Sequence, residues 1–338
     1  MDFAFTEEQV LLRDTARLML ANECPPSLVR AHIDDPSVAD GLWTHLRDFA
    51  ALGVGPCTDL AIFCEELGYV AAPGVFFATV ALFIPFTFAL GTGEAAAAID
   101  GLETGTVALA GTNGEWVANA DPVKAFVPEA DRVDWIVVVD GGPEPRLGVF
   151  PQDAFEILPV QTVDFSRRLF EVRAREDTSA GGSWHSISPE DIRKHLERAT
   201  VALAAEMVGT ARRMTDMSVA YAKERYQFGV PIGSFQAIQH KLADVSLAVE
   251  RAQSAVQYAA MAIDAGDPDR HRAVHTAKAA AGVAATTAAR ESEQTHGGIG
   301  FTWEHDLHLF IRRAYGAAYW MGTTDWHHDR LADLLFSS

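Results

Sequence analysis

The stretch KERYQFGVPIGSFQAIQHKLADV, residues 223–245, sets an Arg, a Gln and a Phe between two runs of helical text, ahead of a Gly and a Pro. Upstream, a helix is expected from Ser188 to about Arg225. Ser188 can cap it, Pro189 suits its first position and Asp191 can serve its first turn. That is much longer than an average globular helix. Downstream, helical spacing resumes at about Phe235 and runs to Ala265, where Gly266 stops it. Asp267 and Pro268 start a third run that ends at Gly297, and a fourth follows from about Glu304 to Leu335. Four long helices with short connections predict a four-helix bundle over residues 188–338.

Working outward, residues 105–187 read differently. TVALAG (106–111), RVDWIVVV (132–139), RLGVF (146–150) and LFEVR (169–173) are short, β-rich and separated by Gly, Pro and Asp clusters. They predict a small β domain, closed by the Ser- and Gly-rich linker TSAGGSWHSIS (178–188). Residues 1–104 read as an α domain. Thr6 and Gln9 have capping-box spacing, Phe5 and Val10 form a hydrophobic staple around them, and apolar residues then recur at helical spacing through Leu20. Helical text continues, with Pro and Gly breaks, to about residue 98. The expected fold class is mainly α with a small middle β domain.

Composition bounds the function. A chain of 338 residues with 49% apolar and 22% charged content is that of a soluble globular protein with a sizeable core. Its formal net charge of −19 argues against nucleic-acid and anionic-membrane surfaces, which need clustered Lys and Arg. Cys24, Cys57 and Cys64 are an odd count in a large chain, which fits a reducing cytoplasm and not a disulfide framework. No secretory signal is visible at the N-terminus. Residues 70–90, VAAPGVFFATVALFIPFTFAL, are uncharged over about a bilayer's span. Pro73, Gly74 and Pro85 interrupt them, so a pair of buried core helices is expected instead.

Arg225, Gln227 and Phe228 sit where the first bundle helix ends. An Arg there offers a planar fork for a pyrophosphate, and an aromatic can cover a nucleotide or flavin edge. An Arg at a helix C-terminus also complements the dipole, and taken alone that simpler role suffices. HGGIGF (296–301) is a second Gly-rich turn. Its glycines permit close backbone approach to a nucleotide, or merely cap a helix. The pairs His271/His275, His305/His308 and His327/His328 lack acidic or Cys partners at closed-site spacing, so solvated or capping histidines are expected and no metal.

Together these pieces resemble the acyl-CoA dehydrogenase family over nearly the whole chain. RYQFGVPIGSFQAIQHKLAD (225–244) and QTHGGIGFTWEHDLHLFIRRA (294–314) carry the resemblance most specifically. It implies FAD at a subunit interface, with Arg225, Gln227, Phe228, Gln294 and the backbone at Gly297 and Gly298 reaching the pyrophosphate and adenosine end of a neighbour's cofactor. Ile232 and Phe235 are lesser contacts. The implied reaction is α,β-dehydrogenation of an acyl-CoA thioester: a carboxylate removes the α-proton while the β-hydrogen leaves as hydride to the flavin.

Two departures from the family pattern follow. Many members carry the base in a Tyr-Glu-Gly-Thr segment; the matching text is TrpMetGlyThr at 320–323, with Met321 in the Glu's place. Others place it on the first bundle helix, where Ala199 and then Thr200 stand. Neither side chain accepts a proton. The family's Thr-Glu-Pro-x-x-Gly-Ser-Asp loop and its Trp-Ile-Ser/Thr segment, which hold the flavin ring and the thioester, are also missing from residues 106–135, which look shortened. The chain is therefore similar to the shorter, non-catalytic subunits of the α2β2 acyl-CoA dehydrogenases with which actinobacteria degrade steroid side chains. A full-length partner subunit would supply the base, and an electron-transfer acceptor would reoxidise the flavin. Two other readings stay open: a self-sufficient enzyme whose displaced base is Glu197, Glu206 or Asp325, each more simply an exposed or capping carboxylate, and a cofactor-free structural paralogue.

Overall fold

The computed structural model describes residues 3–112, 115–175 and 183–336. Helices α1 (Glu7–Glu23), α2 (Pro26–Asp34), α3 (Ala39–Leu46), α4 (Cys57–Tyr69), α5 (Ile84–Phe88) and α6 (Gly93–Ile99) come first. The Thr6/Gln9 capping box at the start of α1 is present in both directions. Strands β1 (Gly105–Ala108), β2 (Val123–Pro128), β3 (Trp135–Asp140), β4 (Arg146–Pro151), β5 (Phe155–Val160), β6 (Leu169–Ala174) and β7 (Ser183–Ser186) follow. Then come α7 (Pro189–Glu224), the two-residue strands β8 (Tyr226–Gln227) and β9 (Val230–Pro231), α8 (Gln236–Asp264), α9 (Arg270–His296), α10 (Leu307–Tyr319) and α11 (Thr324–Phe336). The chain gathers into two compact units, residues 1–30, 57–72 and 200–338 in one and residues 31–56 and 73–199 in the other.

In the second unit, the uncharged run at 70–90 forms one helical stretch and not a pair. A π-helical segment, Phe77–Phe83, passes directly into α5, and Pro85 falls in its first turn, where a missing N–H is tolerated. Phe76 to Thr87 are buried, and among the described residues no helix is long and apolar enough to cross a membrane. Seven strands stand where four stretches were expected. The spatial strand order of one sheet is β1-β3-β4-β7, with β1 and β3 parallel, and of the other β2-β6-β5. Val127, Ile136, Phe150, Phe155, Phe170 and Val172 pack a common core from both. Alternation hid β2, which bulges between Lys124 and Val127 with Phe126 at φ +58°. Strand β7 pairs with β4 inside the text read as a linker; residues 178–182 of that linker lie outside the described residues.

The first unit is helical. Asp264, at the end of α8, accepts the backbone N–H groups of Cys57 and Thr58 at 2.6 and 2.9 Å, capping α4 from a distant part of the chain. Helix α4 then crosses α7 at backbone contact: a Cβ added at Gly68 would overlap the Glu206 carbonyl, and one at Gly209 the Glu65 carbonyl. Arg313 of α10 pins the same crossing, donating to Glu206 Oε1 at 2.6 Å and to the carbonyls of Ala71 and Ala72 at 3.3 and 3.2 Å.

The fourth helical run is not continuous. It breaks between α10 and α11 at Trp320–Thr323, with Met321 at φ +57° and Gly322 at φ +94°. Two buried side chains hold the break. Lys278 of α9 donates to the carbonyls of Ala317 (3.2 Å) and Gly322 (2.9 Å), taking up the C-terminal end of α10. His327 donates from Nε2 to the Met321 carbonyl at 3.0 Å. With no carboxylate beside it, burial brings the Lys278 amine down to about 7.

Two outcomes follow. Gly209→Ala forces α4 and α7 apart and destabilises the chain by about 1–3 kcal/mol or more, read as a lower midpoint in urea unfolding. For Lys278, the folded value near 7 lies below the unfolded 10.5, so between them the unfolded chain holds the extra proton. This group's contribution is full above the unfolded value and is lost as pH falls toward 7, by up to roughly 1.4 kcal/mol per pH unit. Lys278→Met is therefore most favoured over the parent at pH 7 and loses that advantage toward pH 10; a difference flat with pH contradicts the assignment.

Candidate functional site

Two helix C-termini build the site. Ser218 of α7 donates to Ser292 of α9 at 2.8 Å, and Ser292 in turn donates a hydrogen bond to the Met214 carbonyl at 3.3 Å. One turn on, the Tyr221 ring stacks on His296 with centroids 4.4 Å apart. These pairings climb both helices together, so α7 and α9 run in the same direction here and finish side by side. His296 Nδ1 lies 2.9 Å from the Ser292 carbonyl, which can only accept, so Nδ1 carries the proton. Lys241 near the start of α8 reaches Glu291 at 2.9 Å and holds its carboxylate below the usual range. Apart from His296, which heads the HGGIGF turn, none of these fastening residues stood out in the sequence, where each reads as any polar group on a helix face.

Beyond α7 the chain turns back on itself. Ile232 N–H donates to the Arg225 carbonyl at 2.8 Å, closing the β8–β9 hairpin. Its two-residue tip is Phe228 at φ +55° and Gly229 at φ +83°, the pair of left-handed residues that type I′ turns require. Glycine suits this; Phe228 is held there against a steric preference of about 1–2 kcal/mol. Its ring is 94% exposed and touches Phe235 edge-on at 6.3 Å.

The site residues expected from the sequence thus share one end of the first unit. Arg225 lies one turn past Tyr221, and Gln294, Gly297 and Gly298 flank His296. Arg225, Gln227, Gln294, Gly297 and Gly298 are exposed, Phe235 is at the border of exposure, and Ile232 is buried beneath the hairpin. Gln227 donates to its neighbour Tyr226's carbonyl at 2.7 Å. The side chains of Arg225 and Gln294 make no hydrogen bond or ion pair among the described residues. Space stands open where a Cβ would project from Gly229, Gly297 and Gly298. A free guanidinium, a free amide, an outward aromatic face and unshielded backbone fit a flat, anionic, nucleotide-like group such as the pyrophosphate–adenosine end of FAD. Arg225 matters more because two helix C-termini meet here and their partial negative charges would repel a phosphate.

The two positions at which the resemblance expects the base are closed off. Ala199 and Met321 are buried, and no carboxylate stands at either. Of the three displaced candidates, only Asp325 is the exposed carboxylate expected, in the first turn of α11. Glu197 and Glu206 are buried instead, and Glu206 is committed to Arg313 at 2.6 Å. The histidines also differ from expectation. His328 is exposed and His305 caps the N–H of Leu307 at 3.1 Å, as expected. His308 and His327 are buried, and His275 and His327 share one proton between Nδ1 atoms 2.8 Å apart. Because His327 Nε2 donates to Met321, its Nδ1 accepts and His275 donates. Burial takes His275 and His308 down to about 4. No cluster of three or more His, Cys, Asp or Glu placed to hold a metal ion occurs among the described residues.

In the second unit, the described part of the β1–β2 connection spends its polar groups on itself. Lys124 Nζ donates to Asn119 O at 2.6 Å and Oδ1 at 3.1 Å, and Asn119 O also accepts Gly141 N–H at 3.0 Å. This is the segment that the sequence reading took as shortened; Asn113 and Gly114 within it lie outside the described residues.

Comparison with known proteins shows which family has this fold. Residues 190–336 match the acyl-CoA dehydrogenase C-terminal domain. The chain is 33% identical to the acyl-CoA dehydrogenase IpdE2 of Mycobacterium tuberculosis over 92% of both chains, and 31% identical to IpdE2 of Mycolicibacterium smegmatis over 94% and 95%. Among solved structures, the ChsE4-ChsE5 complex from Mycobacterium tuberculosis superposes over the full length of both chains with a TM-score of 0.86 at 21% identity. A Tcur3481-Tcur3483 steroid acyl-CoA dehydrogenase covers 98% of both with a TM-score of 0.85 at 25% identity. The chain belongs to the acyl-CoA dehydrogenase family.

Proposed function

We propose that this chain is the non-catalytic subunit of a cytoplasmic, heteromeric FAD-dependent acyl-CoA dehydrogenase, an α2β2 assembly with a full-length partner. In it, residues 1–104, 105–187 and 188–338 are the α, shortened β and bundle domains. The observation that carries the proposal is a pairing: both base positions hold buried apolar residues, while Arg225, Phe228 and Gln294 face outward with their binding capacity unspent. A cofactor-free structural chain would have no use for that display, and a self-sufficient enzyme would need a base.

Arg225 clamps the pyrophosphate of the cofactor that the partner's ring-side contacts hold, with Gln227 and Gln294 adding amide hydrogen bonds. Phe228 covers the adenosine end, backed by Phe235 and Ile232, and the backbone at Gly297 and Gly298 approaches closely because no Cβ intervenes. Bound flavin supplies the hydride acceptor for α,β-dehydrogenation of the acyl-CoA; the partner supplies the base, and an electron-transfer acceptor takes the electrons away. The steroid acyl-CoA dehydrogenase among the similar solved structures favours a steroid-derived acyl-CoA as substrate.

Two variants separate clamp from scaffold. Phe228→Gly relieves the left-handed strain, so the isolated chain keeps its stability or gains about 1 kcal/mol, yet the co-purified complex loses FAD. Arg225→Ala lowers the complex's FAD content several-fold with little change in the chain's own unfolding. Full flavin content and activity in both variants would leave a structural paralogue as the answer.

A further inference from the structure

A cavity of about 220 Å³ opens in the first unit among α1, α4, α7 and α10, away from the hairpin and the Gly-Gly turn. Leu20, Ala21, Cys24, Pro25, Val70 and Phe310 form most of its wall. Cys24 is a neutral part of that wall, since burial pushes its thiol up to about 12.

Its charged groups do not balance. Arg17 is paired with Glu66 at 2.9 Å. Arg212 bridges Glu65 and Glu66, the latter at 2.8 Å. Tyr69 donates to Asp216 at 2.9 Å. That leaves Arg213, which lines the cavity and makes no hydrogen bond or ion pair among the described residues. Its Nε is fully buried without a partner. Two rings of the same cavity hold the guanidinium: its carbon lies 5.2 Å from the centre of Tyr69 and 5.7 Å from that of Phe310. Aromatic faces fix the fork's orientation but satisfy none of its N–H groups. Half-buried polar groups left this way ask for an acceptor, and for a guanidinium the matching one is a carboxylate taken by two parallel N–H bonds.

We propose that this cavity is a binding site for a small carboxylate with an apolar body, its head on Arg213 and its body against Leu20, Ala21 and Val70. The volume is below the roughly 300–1,000 Å³ of pockets that hold drug-sized ligands, which limits the body to a short chain or a single ring. The site is independent of the proposed FAD clamp and lies wholly within this chain.

Ligand-observed NMR titration of the full chain with butyrate and benzoate, against butyramide and benzamide, tests it. The expected result is saturable binding of a carboxylate and at least tenfold weaker binding of its amide. Arg213→Met weakens the carboxylate at least tenfold. Ala21→Leu, which fills the cavity and leaves Arg213 in place, also abolishes binding and decides the matter should Arg213→Met not fold. Absence of saturable binding by both carboxylates, equal binding of the amides, or carboxylate binding undiminished in the variants overturns the proposal.

Discussion

The hydrogen bond from Ser218 to Ser292 is the contact on which the functional end of the molecule depends. It is buried, links residues 74 apart in sequence, and sets two long helices side by side so that both end together. Once α7 and α9 finish at one place, Tyr221 and His296 stack, and the hairpin and the Gly-Gly turn emerge next to each other. Two converging C-termini also give this end a negative partial charge. In the proposed function, the unpaired Arg225 guanidinium is what offsets that charge for a phosphate.

Elsewhere the first unit is tied at residues weighed as base candidates or base positions. Glu206, which has the right functional group, is consumed by Arg313 and by the α4–α7 crossing. Met321 occupies a left-handed turn fixed by Lys278 and His327. These groups spend their polarity on backbone carbonyls and on one another, so the interior looks built to hold shape. Polarity left unspent is found at the hairpin, at Gln294 and at Arg213.

Long, strongly periodic elements were legible in the sequence: α7, α8 and α9 begin and end within a few residues of their caps and glycines, and the Thr6/Gln9 box is where its spacing puts it. The candidate site residues could be singled out only through resemblance, since an Arg after a helix is by itself a dipole complement. What escaped was set by tertiary contacts. The bulged β2 and the strand β7 are defined by their partners. The break at Trp320–Thr323 depends on a lysine more than 40 residues away, and its one visible sign was a lone Lys in the alanine-rich run of α9. The buried state of Glu197, Glu206 and His327 likewise reflects which helix faces meet, and one helix's periodicity does not reveal that.

The central claim is that the clamp serves a flavin held chiefly by another chain. Flavin absorbance per polypeptide, measured for the chain purified alone and with its full-length partner, tests it most directly. The account predicts no flavin on the isolated chain and one FAD per heterodimer. One FAD per chain in the isolated protein would contradict it and would return the ring-side contacts and the base to this polypeptide.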